Sequence, residues 1–132
     1  MNPGLLADGV LVLHGLFIAW AALGALAVWR WPRLLVLHLP ALAWGVWIEI
    51  SGGICPLTPL ENSLRRAAGQ SGYSGGFIDH YLGGLIYPAG LTREAQWVVA
   101  GVLLAFNVVL YGVMIARVRR ARGSARGSAS QA

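Results

Sequence analysis

The chain has 132 residues, of which 57% are hydrophobic and only 11% charged, and its formal net charge is +5. Soluble domains are about half apolar and a quarter charged, so one soluble core of this size could not hide so much apolar surface. Half of the arginines (Arg117, Arg119, Arg120, Arg122 and Arg126) directly follow an apolar run, which points to anionic lipid head groups at a membrane boundary and away from nucleic acid.

Asn2–Pro3 opens the first helix, with Asn as N-cap and Pro at the first helical position. No basic stretch of a cleaved signal peptide precedes it, so the run at about 5–29 reads as a retained membrane span. Trp29-Arg30-Trp31-Pro32-Arg33 closes it with interfacial aromatics, positive charge and a helix breaker. A second span follows at about 34–50, interrupted by His38, Pro40 and Glu49. It sits near the short limit of the roughly 17–25 residues that cross a bilayer.

Residues 51–95 differ in kind. Thr58-Pro59-Leu60-Glu61 matches a capping box with proline at the first helical position, and gives Thr58, Pro59 and Glu61 structural roles. It predicts a short helix at about 59–68, with Glu61 and Arg65 paired one turn apart. After a Gly- and Ser-rich loop, Phe77, Ile78, Tyr81, Leu82, Leu85 and Ile86 fall on one helical stripe. That predicts an interfacial or re-entrant helix at about 77–87, too short for a comfortable fourth span. Thr92 caps the last helix, whose apolar part at about 96–116 is the third span. The basic tail, 119–132, has nothing to bury and is expected to be disordered.

These elements make one all-α integral membrane domain, residues 1–118, a small antiparallel bundle of three transmembrane helices with short interfacial helices. Arginines at the first turn and at the C-terminal end place both in the cytoplasm. The N-terminus and the 51–95 region are then outside, and the expected location is a bacterial inner membrane. A full fourth span would export the arginine-rich tail, which counts against it.

Rise per residue converts position to depth. His14 and Glu49 each lie roughly 24 Å from the arginines of the first turn, so they share a depth in the outer half of the bilayer. Ionisable groups in spans are costly and usually face the protein interior. The sharpest reading is therefore an outward pocket of His14, Glu49, Asp79 and His80, with Asp8 and Cys55 at its rim. His14, Glu49 and His80 could hold a divalent metal, and the whole set could bind a polar head group or another small ligand. The plainer reading is a hydrogen bond between His14 and Glu49 that only joins two spans. His38 lies about 16 Å from the depth of His14, which argues against a haem held between them, and it is expected to meet Tyr111 or Asn107.

Leu13-His14, Trp31-Pro32-Arg33, His38, Trp44-Gly45 and Ile48-Glu49 occur in that order. They are followed by Cys55-Pro56-Leu57-Thr58-Pro59-Leu60-Glu61-Asn62, Gly72-Tyr73-Ser74-Gly75-Gly76-Phe77-Ile78, His80-Tyr81 and Ile86-Tyr87-Pro88. Over about residues 5–118 this pattern resembles an uncharacterised bacterial membrane family, domain of unknown function 2784. Asp79 stands where that family is expected to carry Glu. The resemblance implies a small multi-pass inner-membrane protein and supplies no activity. Two other functions compete with a binding protein. One is an enzyme using Cys55 as nucleophile or redox thiol with His80 as base. The other is an accessory subunit whose spans pack on a partner membrane protein or on a second copy.

Overall fold

The computed structural model describes residues 2–86 and 92–129. It contains α1 (Pro3–Arg30), a 3-10 turn (Pro32–Leu34), α2 (Leu35–Ser51), α3 (Leu57–Ala67), a π-helical turn (Asp79–Gly83) running into the single turn α4 (Gly84–Ile86), and α5 (Arg93–Ala129). Among the described residues there is no strand. Three helical segments, Pro3–Arg30, Pro32–Ser51 and Arg93–Arg126, are long and apolar enough to cross a membrane.

The ends of the spans follow local chemistry. Asn2 Oδ1 accepts from the Gly4 amide at 2.9 Å, and Thr92 Oγ1 accepts from the Ala95 amide at 3.3 Å. Both are N-caps at the expected positions. The second span gains length from the 3-10 turn that precedes α2. Pro40 sits inside α2, where it removes one backbone hydrogen bond; spanning helices tolerate this because neighbouring groups satisfy the freed carbonyl. At the far end of α2, Arg93 Nη2 and Trp97 Nε1 both donate to the Ile50 carbonyl, an orphan acceptor of the last turn.

That contact ties the start of α5 to the end of α2, while His38 near the start of α2 bonds Tyr111 late in α5. The two helices are therefore antiparallel. α1 and α5 run parallel, since Asn107 reaches the carbonyls of Ala21 and Ala22 and the Arg117 guanidinium lies 4.8 Å over the Trp29 ring. On α1 the buried positions Ala7, His14, Ala21 and Val28 recur every seven residues, with Gly24 and Ala25 between. This is the narrow seam of a left-handed bundle, made mostly of small residues so that backbones approach closely.

Burial is inverted relative to a soluble protein. The largest fully buried side chains are His38, Glu61, Asn107 and Thr58, all polar. Leucine, valine, isoleucine and tryptophan side chains cover the outside of every span, as at Leu16, Val36, Trp47 and Val102. Where lipid replaces water there is no penalty for apolar exposure, and polar groups instead seek partners inside.

One knot of polar groups joins the three spans. The Ala21 carbonyl faces both His38 Nε2 at 3.3 Å and Asn107 Nδ2 at 3.4 Å. A carbonyl only accepts, so Nε2 carries the imidazole proton and Nδ1 accepts from the Tyr111 hydroxyl. Of the two residues expected near His38, Tyr111 bonds it directly and Asn107 shares the Ala21 carbonyl with it. Replacing Asn107 with leucine should lower the unfolding free energy in detergent by about 1 kcal/mol, the usual size of an interhelical hydrogen bond in a membrane protein. A midpoint unchanged in heat or denaturing-detergent titrations would show that the knot is dispensable.

Two expectations need correction. The capping box is not formed: α3 starts at Leu57, Pro56 occupies the cap position without a side-chain hydrogen bond, and Thr58 and Glu61 turn inward. Proline is tolerated anywhere in a first turn, where its missing amide costs nothing, so Pro59 fits as third residue as well as first. The basic tail continues α5 as a helix to Ala129, with side chains through Arg126 exposed. Alanine and arginine are among the best helix formers, and no proline interrupts them. The predicted helix at about 77–87 is present from Phe77 onward as mixed α and π turns. Its last residue, Tyr87, lies outside the described residues, as do the final three of the tail.

Candidate functional site

The cap formed by residues 52–83 packs α3 along the first half of α1. Beneath it lies a cavity of about 680 Å³ lined by α1, α2, α5 and the cap. Its polar side chains are His14 from α1, Glu49 from α2, Gln96 from α5, and Cys55 and Asp79 from the cap. The remaining walls are apolar, including Phe17, Ile18, Ile48, Leu103 and Phe106. The size falls within the roughly 300–1,000 Å³ typical of small-molecule sites.

His14 and Glu49 reach this cavity because equal depth on antiparallel neighbours brings them together. His14 is 3% exposed, its ring lies 4.4 Å from that of Phe77, and its Nδ1 has no hydrogen-bond partner among the described residues. Glu49 is 8% exposed and its Oε2 is likewise without a partner. Buried polar atoms are paired in the great majority of cases, because an unpaired one costs on the order of 1–3 kcal/mol. Two such atoms face this one cavity, while the other two among the described residues, Thr58 Oγ1 and Asn107 Oδ1, lie away from it. The hydrogen bond of the plainer reading does not form through His14 Nδ1 or Glu49 Oε2, which have no partner among the described residues.

Asp79 also lines the cavity, with Phe77, Ile78 and Leu82 beside it. The helical stripe had set Asp79 apart from those residues. The π-helical turn changes the phase of the segment, so a 3.6-residue period no longer assigns its faces. Cys55 is half-buried and is a free thiol on the cavity wall.

The other two expected members lie elsewhere. Asp8 is exposed and pairs with Arg65 of α3 at 3.8 Å. His80 stacks flat on Tyr73, with ring centroids 4.0 Å apart, and meets Tyr81 edge-on. It does not line the cavity. The set His14, Glu49 and His80 is thus not assembled, and among the described residues no three His, Cys, Asp or Glu side chains come together as a metal site.

What the capping-box reading obscured is the centre of the cap. Glu61 is fully buried. Its carboxylate accepts from Arg65 Nε at 2.8 Å, from the Tyr73 hydroxyl at 2.9 Å and from the Tyr81 hydroxyl at 3.0 Å. Asn62 holds the Tyr73 backbone at both its amide and its carbonyl. Burial, and then the bond to Glu61, pushes the phenols of Tyr73 and Tyr81 upward, so both stay protonated donors. The bond to Glu61 raises Arg65 in the same way. A signal for this was present: Thr58, Glu61, Asn62 and Arg65 form a wholly polar stripe at helical spacing, which in a membrane cap faces inward.

The family model described as a protein of unknown function, DUF2784, matches residues 4–112. The chain belongs to this family. No curated protein and no solved structure matches it. The matched part of the DUF2784 chain takes in the cavity, the Glu61 cluster and the His38 knot, and stops before Arg117.

Proposed function

We propose that this DUF2784 protein binds a small organic ligand in the cavity beneath its cap, with His14 and Glu49 as the groups that hydrogen-bond it. The observation that supports this is the pair of buried atoms, His14 Nδ1 and Glu49 Oε2, left without partners among the described residues at the polar end of a cavity with apolar walls. Cys55, Gln96 and Asp79 complete that end. By the positive-inside rule the cavity lies in the outer half of a bacterial inner membrane, with the N-terminus and cap outside. Arg117 to Arg126 then meet anionic head groups on the cytoplasmic face.

Groups kept for binding reduce stability when the site is empty. Glu49→Gln and His14→Ala should therefore leave the melting temperature of the detergent-purified protein unchanged or raise it. Each should lower retention of a bound small molecule by about tenfold, the loss of one hydrogen bond to a charged or polar anchor. Native mass spectrometry checks this as a bound mass, one per chain, present in wild type and depleted in both variants. Equal retention in all three proteins, or no bound mass in the wild type, would remove the ligand reading.

A further inference from the structure

The cavity is oriented. On each span the polar lining residue lies at the same end: His14 precedes Leu23 on α1, Glu49 follows Trp44 on antiparallel α2, and Gln96 precedes Phe106 on α5. From Gln96 to Phe106 the helix rises about 15 Å, half of the roughly 30 Å hydrocarbon thickness. The cavity therefore runs along the spans over the depth of one leaflet, polar at the cap and apolar below.

Its wall is also the outside of the protein. Leu23, Trp44, Val98, Val102 and Phe106 line the cavity and are each between 43% and 64% exposed. An occupant can pass between these side chains from the bilayer without crossing water. Carboxylates are in excess at the polar end. Among the described residues Glu49 and Asp79 line the cavity and no arginine does, although the Arg93 guanidinium is near enough to act on Glu49. Arg93, at the head of α5, has its guanidinium engaged by the Ile50 carbonyl and Gln96 Oε1. A phosphate or carboxylate head would meet two carboxylates against one arginine whose guanidinium is already bonded.

We infer that the occupant is a single-chain lipid-like amphiphile that comes in laterally from the bilayer. Its head donates hydrogen bonds through hydroxyls and carries no negative charge. The inference rests on the ligand reading above and adds the class of the ligand and its route. The chain lies along the apolar walls and the hydroxyls meet His14 Nδ1 and Glu49 Oε2.

Cys55, the chain's single cysteine, stands on the cavity wall and reports occupancy. Full-length protein in phosphatidylcholine discs would be alkylated with N-ethylmaleimide in the presence of 1-monooleoylglycerol or oleate, which share a chain and differ in head. Monooleoylglycerol is expected to slow Cys55 labelling about tenfold and oleate at the same mole fraction by less than about twofold, a difference of one hydrogen-bonded head. Glu49→Gln and His14→Ala, checked for unchanged melting, should each abolish most of the protection. Protection by oleate equal to that by monooleoylglycerol overturns the head-group assignment. Protection by neither overturns the lipid assignment as a whole. In both cases a bound mass that is still lost from Glu49→Gln keeps the cavity as a binding site for another ligand, whereas its absence from wild type ends both readings.

Discussion

Glu61→Ala is expected to release the cap from the spans and to lower the unfolding free energy by about 3 kcal/mol, near the lower end for breaking a buried ion pair from one side. The carboxylate is fully buried and serves three donors, Arg65, Tyr73 and Tyr81. Arg65 is partly exposed and can regain water. Tyr81 is also partly open to water, whereas the half-buried Tyr73, without its acceptor, keeps more of the desolvation cost. Removing the donors singly should cost less, about 1 kcal/mol each for Tyr73→Phe and Tyr81→Phe. Amide hydrogen exchange distinguishes release of the cap from general unfolding: amides of residues 57–83 should exchange faster in Glu61→Ala, while those of the spans keep their protection. An unfolding midpoint within experimental error of wild type would mean that α3 is held by its contacts with α1 alone.

The second large effect belongs to Gly24. A β-carbon there would overlap the His38 imidazole at Cδ2 and Nε2. The ring cannot step aside. It is fully buried, bonded to Tyr111 and the Ala21 carbonyl, and set edge-on against Trp20 at 5.6 Å. Gly24→Ala should therefore cost about 3 kcal/mol, the upper part of the usual range for overpacking, because the knot of α1, α2 and α5 must open to admit one methyl group. His38→Ala alone leaves the Tyr111 hydroxyl without its acceptor, and in the Gly24→Ala background it also removes the clash. The double variant should be more stable than the sum of the two single losses predicts, by about 1 kcal/mol or more. Strict additivity would show that the two positions do not touch.

Both effects arise where polar or minimal side chains meet inside a membrane bundle, and the sequence disclosed them unequally. For His38, depth alone narrowed the partners to Tyr111 and Asn107, since in a straight helix position along the chain is position across the bilayer. For Glu61, a local motif gave the wrong answer. Thr58-Pro59-Leu60-Glu61 satisfies a capping box on paper, but Thr58 and Glu61 face inward from a helix that begins earlier, because a buried network of tyrosines and arginine needs the carboxylate. The tyrosines are remote in sequence, and no local rule weighs them. His80 is expected at the site because the outer interfacial helix can fold over it, but its ring stacks on Tyr73 instead.

The class of the protein, its three spans, their N-caps at Asn2 and Thr92, and the shared depth of His14 and Glu49 can be read from the chain alone. These follow from hydropathy, terminal backbone chemistry and helix rise, all local or one-dimensional quantities. Packing settles which polar residues meet. It added Gln96 to the wall that His14, Glu49 and Asp79 line, sent Asp8 to Arg65 and His80 to Tyr73, and gathered Arg65, Tyr73 and Tyr81 on Glu61. The reason is angular. Depth fixes one coordinate of a side chain, whereas its direction around the helix axis, and the neighbour it finds there, depend on how the helices pack.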